Sequence, residues 1–297
     1  MNNHLIDELV KIENKYLPII HILESNSAYK KLYKGAITIQ SKININPDIL
    51  FLGINPGEGP FRELYPKNGD DNAKKFPKRI LDYPDTSKNL NLDWLKKGNA
   101  RGEFIEEKWH GYDWFETTEK INNSFPSRMI NILFSYTEKL YEDKKYQKKD
   151  LVDIIENDIH NRIIYTNIYP IATKSIKELK EIFSLLSKEK NIAELIGTKE
   201  KVTPTIVKNF FRQRMIDSIN AINPKIIVLL GHSAYRDLTL LKDYKGKKIF
   251  KNEVQLRKND LTKYKTISFT RQGNWSPLID DISTAILEHN DSSVKAV

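Results

Sequence analysis

The sequence predicts an α/β fold, a three-layer α/β/α sandwich around a central four-stranded parallel sheet. Three observations carry that expectation. Four short apolar, β-branched runs have the length of buried parallel strands: Asp48 to Ile54, Ile163 to Ile168, Lys225 to Gly231 and Lys265 to Thr270. Amphipathic stretches of helical length surround them: Leu5 to Tyr16, Ser127 to Leu140, Ile176 to Leu186, Thr205 to Ile222 and Pro277 to Leu287. Strands that alternate with helices close into a parallel sheet covered on both faces.

The boundaries follow from local chemistry. Pro204 suits the first turn of the long fourth helix, where its missing N–H costs nothing, and Asn223-Pro224 stops that helix just before the third strand. Pro277 opens the last helix in the same way. With no internal repeat or low-complexity linker, the 297 residues read as a single domain. It carries an N-terminal helical extension over 1–45 and a long insertion over about 65–127. The insertion holds Lys67-Asn68-Gly69-Asp70-Asp71 and the cluster Trp109 to Phe115, and long connections of this kind are often functional.

Composition narrows the function classes. Hydrophobic residues make up 39% and charged residues 29%, a globular balance. No apolar run approaches the roughly 20 residues that span a bilayer. The N-terminus has early acids and no signal-peptide cleavage site, so a cytoplasmic protein with no membrane partner is expected. The chain has no cysteine, which rules out disulfides, thiolate metal sites and a cysteine nucleophile. The six histidines are scattered without metal-ligand spacing, so neither a metal nor a cofactor is expected. A net charge of +9 and pI near 9.3 suit a polyanion such as DNA, although a lysine-, asparagine- and isoleucine-rich composition also has that effect. The lysine-rich run Asp143 to Asp150 reads as a solvated face. No protein partner is implied, and a monomer is expected.

In open α/β sheets ligands bind outside the carboxyl ends of the strands, so the residues there are the candidates. The first strand ends in Gly53-Ile54-Asn55-Pro56-Gly57-Glu58. Pro56 and Gly57 favour a type II turn, and the residue before a proline is held extended, which places the Asn55 amide at the crevice. The spacing fits neither a P-loop nor a dinucleotide fingerprint. The second strand ends in Tyr165-Thr166-Asn167, bringing a second amide, which offers a donor and an acceptor together as a pyrimidine edge requires. The third ends in Gly231-His232-Ser233-Ala234, where His232 reads as a helix-start or packing residue. The fourth ends in Thr270-Arg271-Gln272, with Arg271 and Gln272 able to hold a phosphate or a base, and Trp275 following. At each position a purely structural role is the alternative.

Together these motifs resemble the uracil-DNA glycosylase superfamily. Gly53-Ile-Asn-Pro-Gly57 is similar to the first motif of its mismatch-specific and single-strand-selective types. Tyr165-Thr-Asn167 resembles the base-reading asparagine, and Pro224 to Ala234 its proline–strand–Gly-x-x-Ala signature. The resemblance runs from about Asp48 to Leu287 in strand order. It implies a monofunctional DNA glycosylase in which Asn55 orients the attacking water and Asn167 hydrogen-bonds a flipped base. Gly53, Ile54 and Pro56 join the residues that bind the base or substrate, Gly57 and Glu58 lie beside the sugar, and Phe61, Tyr65 or the Trp109–Phe115 cluster stacks on the base.

This sequence departs from the superfamily at the fourth strand. Where its members carry His-Pro-Ser or Asn-Pro-Ser, this chain has Thr270-Arg271-Gln272. That change, with the long insertion, points to a substrate larger than uracil, such as a hypermodified base of phage DNA in antiviral defence. Two other readings stand beside it, a non-catalytic nucleic-acid reader with the same fold and a hydrolase of free nucleosides.

Overall fold

Ile49–Gly53 forms an inner strand of the sheet, each of its residues apolar or glycine and each buried. In this computed structural model the described residues are 3–41, 43–57, 79–80, 104–105, 108–109, 124–141, 150–151, 154–155, 158–257, 261–271 and 276–291. Helices α1 (Asn3–Asn14) and α2 (Leu17–Ser25) open the chain. Strand β1 (Gly35–Ile37) precedes the inner strand β2 (Ile49–Gly53). Short strands β3 (Arg79–Ile80), β4 (Phe104–Ile105) and β5 (Lys108–Trp109) then lead to α3 (Ser124–Leu140). The second half runs β6 (Ile163–Asn167), β7 (Ile171–Ala172), α4 (Ile176–Leu186), α5 (Ile192–Ile196) and α6 (Pro204–Ile222). It closes with β8 (Ile226–Leu229), α7 (His232–Thr239), β9 (Ile249–Gln255), β10 (Lys263–Phe269) and α8 (Ile279–Asp291).

The main sheet has the order β6-β2-β8-β10-β9. The four expected strands are all present, adjacent and parallel, with Gly53 level with Asn167 and Leu52 level with Leu229. A fifth strand, β9, extends the expected four as an antiparallel edge on β10. Its sequence Ile-Phe-Lys-Asn-Glu-Val-Gln lacks an apolar run, because only Val254 is buried along it.

Alternation along the strands feeds two cores. Leu50, Leu52, Ile164, Ile227 and Leu229 face one with α1, α2, α4, α6 and α7. Ile49, Phe51, Ile163, Val228 and Ile267 face the other with α3 and α8, whose Ile132, Leu133, Ile282 and Ile286 are fully buried. The result is the expected α/β/α layering. Helix starts are capped as the sequence directs: Ser175 accepts from the Glu178 N–H at α4, and Thr203 with Pro204 behind it accepts from the Ile206 N–H at α6.

The N-terminal segment is woven into the fold. Leu5, Leu9, Ile12, Ile19 and Leu23 of the first two helices are buried in the larger core. After β1, which pairs with β3 and β7, the chain covers the free edge of β6. The Gln40 N–H donates to the Tyr165 carbonyl at 2.9 Å, and the Tyr165 N–H to Ser41 Oγ at 2.8 Å. An otherwise unpaired strand edge is thereby satisfied.

Candidate functional site

Topology locates the crevice. The β2-to-β6 connection carries α3, which packs in the smaller core, whereas α4 and α6, between β6 and β8, pack in the larger. Helix α7, which follows β8, also joins the larger core. Connections therefore leave the carboxyl ends of β2 and β8 toward opposite faces. That divergence defines a switch point, the place where such sheets leave room for a ligand.

The loop after β2 is pinned on one side. Gly53 O accepts from Ile168 N at 2.9 Å, Ile54 O from Tyr169 N at 2.9 Å and Pro56 O from Thr173 N at 3.3 Å. Ile54 and Pro56 are buried and Gly57 is exposed. Asn55, half-buried, donates through Nδ2 to Pro56 O at 2.9 Å and to Thr173 Oγ1 at 3.0 Å, with Ile171 O at 3.4 Å. Thr173 spends its own hydroxyl proton on Ser175 O, at 2.8 Å, so it can only accept from Asn55. This fixes which amide atom is nitrogen. Among the described residues no donor reaches Asn55 Oδ1, which is left as the acceptor the site offers.

Asn167 lies beside it and is buried, with 2% of its surface exposed. Its Nδ2 donates to Gln40 Oε1, and its side chain lies across Gly53. A Cβ at position 53 would meet Asn167 Oδ1 closer than real Cβ atoms approach any neighbour. Glycine is required there by that close approach. From behind, Arg214 Nη2 donates to the Asn167 backbone carbonyl at 3.3 Å. Arg214 is 1% exposed and pairs with buried Glu13 of α1 at 2.7 Å. Burial pushes the Glu13 carboxyl above the usual carboxylate range, and the Arg214 charge pulls it back.

The other side of the crevice is built on Gly231. With φ of +114° it occupies a region closed to residues with a side chain, and it caps α7. The stem of Arg271 lies over its Cα, and a Cβ there would meet Arg271 Cβ at 3.1 Å. Arg271 itself is exposed. His232 is structural: Nε2 faces the Lys247 carbonyl at 2.8 Å and Nδ1 the Ser268 hydroxyl at 2.9 Å. A carbonyl only accepts, so Nε2 carries the proton toward Lys247.

The fold thus brings Gly53, Ile54, Asn55, Pro56 and Asn167 together and sets Gly231 and Arg271 across from them. Glu58, Phe61, Tyr65, most of the Trp109–Phe115 cluster, Gln272 and Trp275 lie outside the described residues, as does the end of the turn through Glu58. Gln40, Thr173 and Arg214 are the partners that sequence reasoning missed. Among the described residues no group of three or more His, Asp or Glu side chains is placed to hold a metal, and no helix is long and apolar enough to cross a membrane. No protein-family model matches the sequence, and no curated protein matches it.

Proposed function

We propose that this protein is a DNA glycosylase that hydrolyses the N-glycosidic bond of a flipped-out uracil-like or modified base. One observation supports the reading above the others. Two asparagines stand at neighbouring strand ends beside the switch point, each held by the chain in one orientation. In the proposed reaction a water oxygen bonds to the sugar C1′ while the glycosidic bond breaks; the bonding pair leaves on the base nitrogen, and the proton shed by the water reaches that departing base through solvent. Asn55 Oδ1 accepts a hydrogen bond from that water and orients it. A neutral amide is a feeble base, so the rate comes from positioning and from stabilising the departing base. Asn167 reads the base edge, and Arg271 supplies the positive charge that the absent motif histidine would otherwise provide. The missing histidine favours a bulky hypermodified base, as in phage DNA, over uracil.

The test is an abasic-site assay on duplexes containing uracil, mismatched thymine and hypermodified pyrimidines. Wild-type protein should leave abasic sites on at least one duplex, more on the hypermodified than on the uracil substrate. Asn55→Ala should lower turnover roughly 100-fold through lost water positioning, with duplex affinity little changed. Binding without abasic sites on any substrate would favour the second reading, a non-catalytic reader. The engagement of Asn167 with Gln40 and Gly53 is the observation on that side.

A further inference from the structure

Helix α7 ends at Leu240, which takes a left-handed φ of +64° although it is not glycine. Residues with a side chain are disfavoured there, and such outliers gather where a segment is held for a purpose. The turn starts a loop, 241–248, in which Lys242, Lys245, Lys247 and Lys248 are all exposed. Its backbone is fixed to the carboxyl end of the sheet. The Thr270 N–H donates to the Lys248 carbonyl at 2.8 Å, His232 Nε2 meets the Lys247 carbonyl at 2.8 Å, and the Tyr244 ring stacks on His232 at 4.7 Å. The loop's one acid, Asp243, is also exposed, and its Oδ2 accepts from Tyr235 Oη at 3.3 Å and Asn252 Nδ2 at 3.1 Å. Among the described residues none of the four loop lysines has an ion-pair partner, whereas Lys208, Lys225 and Lys251 each do.

Four lysines against one aspartate on an anchored loop match a ligand that repeats negative charge at short intervals. A nucleic-acid strand carries one phosphate per ~3.4 Å of helix axis, so a cluster of lysines on one turn can meet several of them. The loop also stands beside Gly231 and Arg271, on the rim of the crevice that holds Asn55. We infer that loop 241–248 is a phosphodiester clamp that grips the backbone of duplex DNA and sets its register against the amide site. The inference rests on DNA being the partner in the reading above, and it names the element that holds it. The loop lysines position the strand and take no part in bond breaking. Leu240 and Leu241, exposed beside them, are what a lipid surface would use instead.

The experiment is anisotropy titration of a fluorescent duplex across roughly 50 to 200 mM salt, a range over which phosphate contacts are strongly screened. The full-length chain is compared with Lys242→Ala/Lys245→Ala/Lys247→Ala/Lys248→Ala and with a charge-matched control, Lys180→Ala/Lys188→Ala/Lys190→Ala/Lys199→Ala. The loop variant should bind at least about 10-fold more weakly at low salt. Its slope of log affinity against log salt should be shallower by about 3, because each lost phosphate contact removes close to one. The control should change that slope by less than about 1, and lysine-to-arginine replacement of the loop should restore it. Equal losses in the two alanine variants, or an unchanged slope, would overturn the clamp. So would loss of binding to phosphatidylserine vesicles with duplex affinity intact. Clamp-dependent binding without abasic sites would sink only the glycosylase reading, and abasic-site formation with unaltered binding by the loop variant would sink only the clamp.

Discussion

The two sides of the crevice are built from opposite materials. On the β2/β6 side the polar groups are two amides held by neighbouring side chains, half-buried Asn55 by Thr173 and buried Asn167 by Gln40, with the buried Arg214–Glu13 ion pair behind them. On the β8/β10 side they are exposed cations, Arg271 and the four loop lysines, carried on a backbone fixed by glycine geometry and carbonyl acceptors. Buried hydrogen bonds set position to fractions of an ångström and are hard to perturb without loss of stability. Exposed charges contribute little to the fold and act at a distance, subject to salt. The first side is suited to orienting reacting atoms and the second to capturing a charged ligand. Substitutions on the first should therefore damage stability and chemistry together, whereas on the second they should separate.

The largest effect is expected at Arg214. Removing one partner of a buried ion pair leaves the other uncompensated and costs about 3–5 kcal/mol, so Arg214→Met should lower the unfolding free energy by that amount at pH 7. The penalty should depend on pH in a definite direction. The folded state already raises the Glu13 carboxyl above its ordinary 4.5, and losing Arg214 removes the charge that lowers it. A carboxyl raised in the fold is destabilising when ionised, so stability returns as pH falls toward the unfolded value. Urea unfolding at pH 5 should show a smaller deficit than at pH 7, and adding Glu13→Gln should remove the pH dependence. A deficit that does not change with pH would break the link between this pair and the site.

Next comes Gly53→Ala. The added methyl would collide with Asn167 Oδ1, so the buried side chain must shift and strain its hydrogen bond to Gln40. Overpacking costs about 1–3 kcal/mol and a lost hydrogen bond a net of about 0.5–1.5 kcal/mol, so a loss of about 2–4 kcal/mol is expected in chemical denaturation. Abasic-site formation should fall below detection while the salt dependence of duplex binding stays as in wild type. A well-folded, fully active Gly53→Ala protein would show that Asn167 does not need this placement.

Unlike the edge strand β9, which has no such run, the four parallel strands were legible in the sequence because they are short apolar, β-branched runs of strand length. The asparagines at their ends were legible because strand ends are where such folds bind. What surrounds them was not. Gln40 sits in Thr38-Ile39-Gln40-Ser41, too short and polar to read as a strand, yet 2% exposed because it covers the edge of β6. Arg214 lies in a helix whose charges look solvent-facing, and its partner Glu13 is 201 residues away in the chain. Thr173 carries no local signal, since its role arises only when β7 lies beside the Asn55 loop. Local periodicity reports which face is apolar; it does not report which polar side chains long-range packing will bury together.

Gly231→Ala tests the cationic side at the glycine that starts α7. At φ +114° and ψ +151° alanine is strained, and its methyl would press on the Arg271 stem. Strain of this kind costs about 1–3 kcal/mol. The fold should survive with a modestly lower melting temperature, and duplex affinity should fall as Arg271 and the start of α7 shift. Loss of affinity with no loss of stability would mean that the glycine serves the ligand alone.

The smallest effect on stability should come from the four loop lysines, where the contrast between the two sides becomes sharpest. Replacing all four with alanine removes no ion pair among the described residues and reduces like-charge repulsion in a chain of net charge +9. Surface changes of this sort fall within about ±0.5 kcal/mol, so the urea midpoint should barely move. The backbone pins at Lys247 and Lys248 use carbonyl oxygens, which alanine retains, so the loop should keep its place. A protein with wild-type stability and weakened, less salt-sensitive duplex binding would separate capture from architecture on this side. A large drop in stability would show instead that the lysine stems pack against the fold, and the cationic side would then resemble the amide side more than its exposure indicates.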